Sequence, residues 1–396
     1  MEMLAYITVW LFVRWVSGRE DGIWPSSIIT KEFGHFPYIR CQITNVMLVP
    51  EQERGVFYTK NRIELNMCQV TENIWHFGTN SNINASQCTD KFDVGHVILL
   101  FYIYGASNYF HLHWDTAIPL FKSLYYTSEN HLNRKTAVLP SVESSRLQKI
   151  NWQTDAFSEE NRHKYWNEII KSVTANNTYI PLDDNLLRSG RRICFSQLYF
   201  GAMRWEKSEK KIIQNFVKHV KNELGIHTNP LIVDRIGIIS RKNRRRILNE
   251  KELVTAAKNL AATDLIHFEK LTYKQQIELM QNYTVVVGMN GAGLMNCVYL
   301  PPTSTCIQLV PYNAQGSLNF EEYGKFLQAR GPYVEWHNTH VNMHVPNSSP
   351  HAADTTVHIA EFVEKVKEAL SLARDARQQT GQIKADEFQK SLHDDL

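Results

Sequence analysis

Three short stretches hold the residues that could do chemistry. The first, "SNYFHLHWDTAIPLF", sets Asn108, His111 and Asp115 at i, i+3 and i+7. On a helix these three form one polar stripe, while Phe110, Trp114 and Ile118 face the other way. An aspartate four residues from a histidine can fix its tautomer and raise its pKa, which suits general-base catalysis. The same pair serves equally well as a structural clamp. His111 and His113 also stand two apart, as a metal pair can, but no third ligand is evident and no metal site is expected.

The second stretch, "VVVGMNGAGLMN" over residues 285–296, is an apolar run that stops on Gly288, adds Met289 and Asn290, and then places Gly291, Ala292 and Gly293 before another apolar segment. Glycines at the end of a buried strand let the backbone come close to a ligand. A following helix N-terminus presents free N–H groups and a positive dipole end, so a diphosphate fits there. The order is G-x-x-G-x-G, neither the dinucleotide fingerprint nor a Walker loop, and a tight strand-to-helix turn would use the same glycines. The third stretch, "SRKNRRRILNE" over residues 240–250, follows the apolar run "RIGIIS" and offers Arg241 as a planar, bidentate phosphate partner. A solvated basic face is the alternative reading.

These stretches need elements to position them. From about Asn222 to Ala376 the chain alternates apolar strands with helical patterns: strands "RIGIIS", "TDLIHFE", "YTVVVG" and "STCIQLV", helices "NEKELVTAAKNLAA", "TYKQQIELMQN", "FEEYGKFLQAR" and "TVHIAEFVEKVKEALSLARDA". Asn249 is available as an N-cap, and "GAGLMNCVYL" opens a helix. Such alternation predicts a parallel sheet covered on both faces, a doubly wound domain. In it the glycine loop and Arg241 both lie beyond the carboxyl ends of strands, where ligands bind. The first half predicts a second α/β domain, with strands near Val46 and Val97 to Tyr104 and helices near Asp115 to Tyr126 and Glu159 to Val173. The expected division is 1–18 leader, 19–215 first domain, 216–376 second domain and 377–396 polar tail.

With 396 residues, two domains are the default. A net charge of +3 leaves basic function to local clusters and gives no field for nucleic acid. "MLAYITVWLFV", Met3 to Val13, has the length of a signal-peptide core rather than a membrane span, although no Lys or Arg precedes it, and an uncleaved anchor is the alternative. Four Asn-x-Ser/Thr sequons (Asn84, Asn176, Asn282, Asn347) are candidate N-glycosylation sites. The terminal His393 to Leu396, "HDDL", differs from a luminal retrieval signal by one acidic exchange. These features predict the endoplasmic reticulum lumen, with a Golgi type II membrane protein as the alternative. Six cysteines suit that oxidising compartment and permit 15 pairings if all are bridged.

Together these segments resemble glycosyltransferase family 61. "GMNGAGLMNCVYLP" (Gly288 to Pro301), "SRKNRRRILNEKEL", and Asn108, His111 and Asp115 followed by Pro119 to Phe121 are similar to that family's signature elements in its order. Asn290 departs from the histidine usual at its position; an amide can donate a hydrogen bond but cannot carry a proton charge.

The resemblance implies a GT-B-like architecture of two Rossmann-like domains across a cleft, with UDP-sugar in the C-terminal one and acceptor in the other. It implies an inverting transfer with Asp115 as base and His111 beside it. Asn108, Arg241, Arg245, Asn290, Gly291, Ala292 and Gly293 would form the donor site. No Asp-x-Asp occurs, so it also implies metal-independent transfer, with UDP-sugar as a substrate and no tightly bound cofactor. The luminal address favours the EGF-domain-specific O-linked N-acetylglucosamine transferase branch, hence GlcNAc transfer to Ser/Thr hydroxyls of secretory proteins. Transfer from UDP-xylose or to a glycan, and a non-catalytic binding relative, are the alternatives.

Overall fold

The computed structural model describes residues 28–32, 40–51, 54–60, 75–99, 109–125, 135–141, 168–175, 178–180, 189–200, 209–228, 233–313, 320–346 and 353–394. The expected leader, Asn108, Asn176 and Asn347 lie outside them.

The chain is a mixed α/β protein with two main sheets. The first comprises β1 (Ile28–Glu32), β2 (Arg40–Glu51), β3 (Arg54–Thr59), β4 (Trp75–Thr79), β5 (Asp90–Leu99), β6 (Thr136–Ser141), β7 (Thr178–Tyr179) and β8 (Ile193–Phe200). Its order is β4-β3-β2-β8-β5-β6-β7, with β1 on β2. The pairings β3–β4, β8–β5, β5–β6 and β6–β7 are parallel. Those of β2 with β1, β3 and β8 are antiparallel, so this sheet departs from an all-parallel Rossmann pattern. A disulfide between Cys88 and Cys194 ties the segment before β5 to β8. Cys297 and Cys306 are buried free thiols, so the six cysteines are not all bridged.

The second sheet contains β9 (Arg235–Ile239), β10 (Ala262–Ile266), β11 (Val285–Met289), β12 (Thr305–Val310) and β13 (Tyr333–His337), all parallel, in order β10-β9-β11-β12-β13. This is the doubly wound order 2-1-3-4-5, which switches direction between β9 and β11. Its strands are apolar because both faces are covered: β11 is buried along its whole length. Val285, Val287 and Met289 pack on one side with Leu253, Phe362 and Val366. Val286 joins the opposite cluster with Phe216, Tyr299 and Phe326.

The helices Glu250–Lys258, Tyr273–Met280 and Phe320–Arg330 form where the spacing predicts them. Thr272 and Gln275 make a reciprocal capping box on the second. Asn249 stands at the N-cap position of the first but gives its side chain to Val357, donating to its carbonyl and accepting from its amide, each at 2.9 Å. "GAGLMNCVYL" forms a 3-10 helix, Ala292–Tyr299, rather than an α-helix. The last helix runs Ile359–Asp394, through the polar tail. Among the described residues no helix is long and apolar enough to cross a membrane.

Candidate functional site

Each loop of the candidate site leaves the carboxyl end of a strand at the β9/β11 switch point. After β11 the chain turns on Gly291, whose φ of +150° is a conformation only glycine adopts readily. A Cβ there would overlap the Arg241 guanidinium and come within 3.2 Å of Arg245 Cζ. Gly293 differs: a Cβ would sit 3.5 Å from Ile239, an ordinary contact, so among the described residues no neighbour requires a glycine. At Gly288 a Cβ would press on Ile239 and Leu294, each 3.0 Å away, and both side chains would have to shift.

The loop after β9 brings the cations. Arg241 Nε donates to the Arg244 carbonyl at 3.0 Å. Arg245 takes a left-handed backbone, φ 53°, and its Nη1 reaches Asn290 Oδ1 at 3.4 Å. Among the described residues its Nε is buried without a hydrogen-bond partner. Burial, then the charges of Arg241 and Arg244, push the Arg245 pKa down to about 9. Cations held together against mutual repulsion, with a donor left unused, can receive an anion. Arg246, next in sequence, turns away and pairs with buried Asp354.

Asn290 is buried, donating from Nδ2 to Gln308 Oε1 at 3.3 Å and accepting from Arg245. Tyr323, buried beside Arg241 and Arg245, donates to the Gly291 carbonyl at 3.4 Å. Among the described residues no group of three His, Cys, Asp or Glu side chains could hold a metal ion.

The first stretch does lie on a helix: Tyr109–His111 and Ile118–Tyr125 flank a π-helical segment, Leu112–Ala117. The side chains of His111 and Asp115 are outside the described residues; their backbone is in this helix. Leu112, Trp114, Ile118 and Phe121 belong to the same core cluster as Tyr299 and Phe326. This helix, expected on the acceptor side of a cleft, therefore spends its apolar face on the second sheet's helices. The structure brings it to the loop after β11: Tyr109 donates to Asn296 Oδ1 at 2.8 Å, and Asn296 Nδ2 donates to the Gly293 carbonyl at 3.3 Å.

His113, set aside in sequence as half of a metal pair, is fully buried and bonded at both ring nitrogens. Burial pushes its pKa down to about 4, against the opposing pull of the Tyr109 carbonyl. Tyr109, His113, Asn296, Tyr299 and Tyr323 all escape spacing rules. Asn296 and Tyr299 fall inside the glycine stretch, but their partners lie up to 187 residues away.

Of the sequons, Asn282 is exposed. Asn84 is half-buried, capping a 3-10 turn and accepting from the Ser86 amide at 3.0 Å.

The family model Glycosyltransferase 61 matches residues 109–307. The chain is 24% identical over 266 residues to an alpha-1,3-arabinosyltransferase of Oryza sativa subsp. japonica, covering 62% of this chain and 42% of that protein. It is 28% identical over 173 residues to the Homo sapiens protein O-linked-mannose beta-1,4-N-acetylglucosaminyltransferase 2, covering 38% and 30% respectively. It is 34% identical over 95 residues to a beta-1,2-xylosyltransferase of Oryza sativa subsp. japonica, covering 23% and 19%. The chain spans less than half the length of each of these relatives.

Proposed function

Because the chain belongs to glycosyltransferase family 61, we propose that it is an inverting glycosyltransferase whose UDP-sugar diphosphate rests on the loop after β11. One observation carries this reading. At the switch point of a doubly wound sheet, Arg241 and Arg245 converge on the Gly291 backbone, and Arg245 Nε is buried with no partner.

In this mechanism the Asp115 carboxylate, with His111 beside it, takes the proton of an acceptor hydroxyl. The freed oxygen bonds to the sugar's anomeric carbon from the face opposite UDP, and the bond from that carbon to the diphosphate oxygen breaks. The departing UDP carries its charge to Arg241, Arg245 and the N–H groups at Gly291 to Gly293. Asn108 and Asn290 complete the donor site, and no metal is required. A GT-B-like arrangement, with the first sheet on the acceptor side, would leave the acceptor free to enter opposite the donor.

The donor we favour is UDP-GlcNAc and the acceptor a Ser/Thr hydroxyl of a secretory protein, as in the EGF-domain-specific branch. The Cys88–Cys194 bond supports a luminal enzyme. A second reading, transfer of a pentose or transfer to a glycan, is favoured by the similarity to arabinosyl- and xylosyltransferases. The test is donor-dependent transfer by purified protein across a panel of UDP-sugars. GlcNAc transfer to a folded secretory domain supports the first reading, and pentose transfer the second. UDP binding without transfer under any donor leaves a binding protein, with Asn290 in place of the usual histidine as the mark of lost chemistry.

A further inference from the structure

A buried polar chain joins helix 109–125 to the 3-10 helix Ala292–Tyr299. His113 Nδ1 lies 2.8 Å from the Tyr109 carbonyl oxygen and Nε2 lies 2.9 Å from the Tyr299 hydroxyl. A carbonyl can only accept, so Nδ1 carries the hydrogen. The ring is neutral, so Nε2 holds a lone pair and the Tyr299 hydroxyl donates to it. The Tyr273 hydroxyl, 2.6 Å from that of Tyr299, then donates to the Tyr299 oxygen. Each hydrogen in this chain has one place.

A second link starts one turn earlier. Tyr109 donates to Asn296, and Asn296 donates to Gln276 Oε1 at 2.9 Å as well as to the Gly293 carbonyl. Both links leave the same end of helix 109–125 and arrive on the same short helix. Two directional bonds at different points fix rotation as well as distance, which apolar packing alone does not. His113 itself lies in the π-helical segment Leu112–Ala117, a form common at functional sites. His113 also sits inside an aromatic cage, with ring centroids at 4.3 Å from Tyr109 and 5.7 Å from Tyr299. Replacing the imidazole by a phenyl would fill the space equally well and lose the register.

We propose that His113 is a positioning residue: its bond to the Tyr299 hydroxyl sets the rotation of helix 109–125 against the donor loop, and so the depth at which positions 111 and 115 meet the donor. The proposal rests on the loop after β11 being the donor site.

The test uses full-length protein with Tyr299→Phe, His113→Phe and His113→Gln. Tyr299→Phe removes one oxygen and keeps the volume. A glutamine amide can donate to the Tyr109 carbonyl and accept from Tyr299, so His113→Gln is the conservative variant. The expected result is a fall in kcat of at least tenfold for both Phe variants, with UDP affinity within twofold of wild type. His113→Gln should regain part of that loss, and amide exchange should rise together over 109–125 and 292–299 in the Phe variants. Wild-type kcat in a folded Tyr299→Phe protein, or a Gln variant no better than Phe, overturns the proposal. If wild type binds UDP but transfers nothing, the glycosyltransferase reading fails separately. Amide exchange then decides the clamp: coupled loosening upholds it, and unchanged exchange overturns it.

Discussion

Arg246 grips buried Asp354 from both its side chain and its backbone: Nη2 and Nε lie 2.7 and 2.9 Å from Oδ2, and the amide nitrogen lies 2.7 Å from Oδ1. The Thr355 amide returns a bond to the Arg246 carbonyl and the Leu248 amide one to the Thr355 carbonyl, each at 2.9 Å. The loop presenting Arg241 and Arg245 is thus stitched to the short strand Asp354–Thr355 rather than left to solvent. Asp354→Ala should therefore weaken UDP binding several-fold, although Asp354 lies outside the proposed donor site, and lower the melting temperature. Asp354→Asn, which keeps an acceptor for the Arg246 amide, should fall between. Calorimetry that finds wild-type UDP affinity in folded Asp354→Ala would detach this loop from the donor site.

Gly291 and Gly293 should respond differently to the same added methyl. Gly291→Ala strains a φ of +150° and drives Cβ into the Arg241 guanidinium, so it should lose both stability and UDP affinity. Gly293→Ala finds only ordinary contact and should melt like wild type. If the diphosphate lies on this loop, Gly293→Val should still impair UDP binding, because a ligand rather than a neighbour needs the space. Normal UDP affinity in both Gly293 variants would move the phosphate elsewhere.

Arg241→Ala should weaken UDP binding by roughly 1.5–3 kcal/mol, the usual worth of a charge-assisted hydrogen bond. Arg245→Met is the sharper test. Removing a buried cation that has an unpartnered Nε should hold or raise the melting temperature while lowering UDP affinity. A variant that loses stability and keeps affinity would make Arg245 a structural residue.

Acid should destabilise the fold through His113. Its pKa is about 4 when folded and 6.5 in the unfolded chain, so between those values the unfolded state binds a proton that the native state does not. Stability therefore falls as pH drops from about 6.5 to 4, by roughly 3 kcal/mol in full. Burial also lowers the His219 pKa, which adds in the same direction. Denaturant titrations of wild type and His113→Gln across this range should diverge; parallel curves would mean that His113 is not held neutral.

Asp115→Asn should reduce turnover by roughly two to four orders of magnitude while leaving UDP affinity unchanged, as loss of a general base does. Asn290→His should keep or raise activity, since an imidazole can also donate to a phosphate or hydroxyl. Turnover, UDP affinity and melting temperature measured on one Asp115→Asn preparation separate a base from a helix anchor, whose loss would lower the melting temperature along with activity.

Much of the second half was legible as sequence, because the signals there are local. Near-continuous apolar runs such as Val285 to Val287 read as strands buried on both faces, and "TYKQQIELMQN" reads as a helix from its spacing. Gly291 and Arg241 stand out by residue type as candidates for a phosphate loop, and the structure sets them side by side. Tertiary structure decided what no spacing encodes. The strand order that sets Arg245 against Gly291 is a matter of pairing, and one sequence is compatible with several orders. His113, in the π-helical segment, bonds the Tyr109 carbonyl through one ring nitrogen and, through the other, a Tyr299 hydroxyl that arrives from 186 residues away. His113 looked like half a metal site in sequence because a histidine's role depends on what desolvates it. Here burial removes its charge and two fixed partners remove its choice of tautomer, and both come from packing between segments that the sequence keeps far apart.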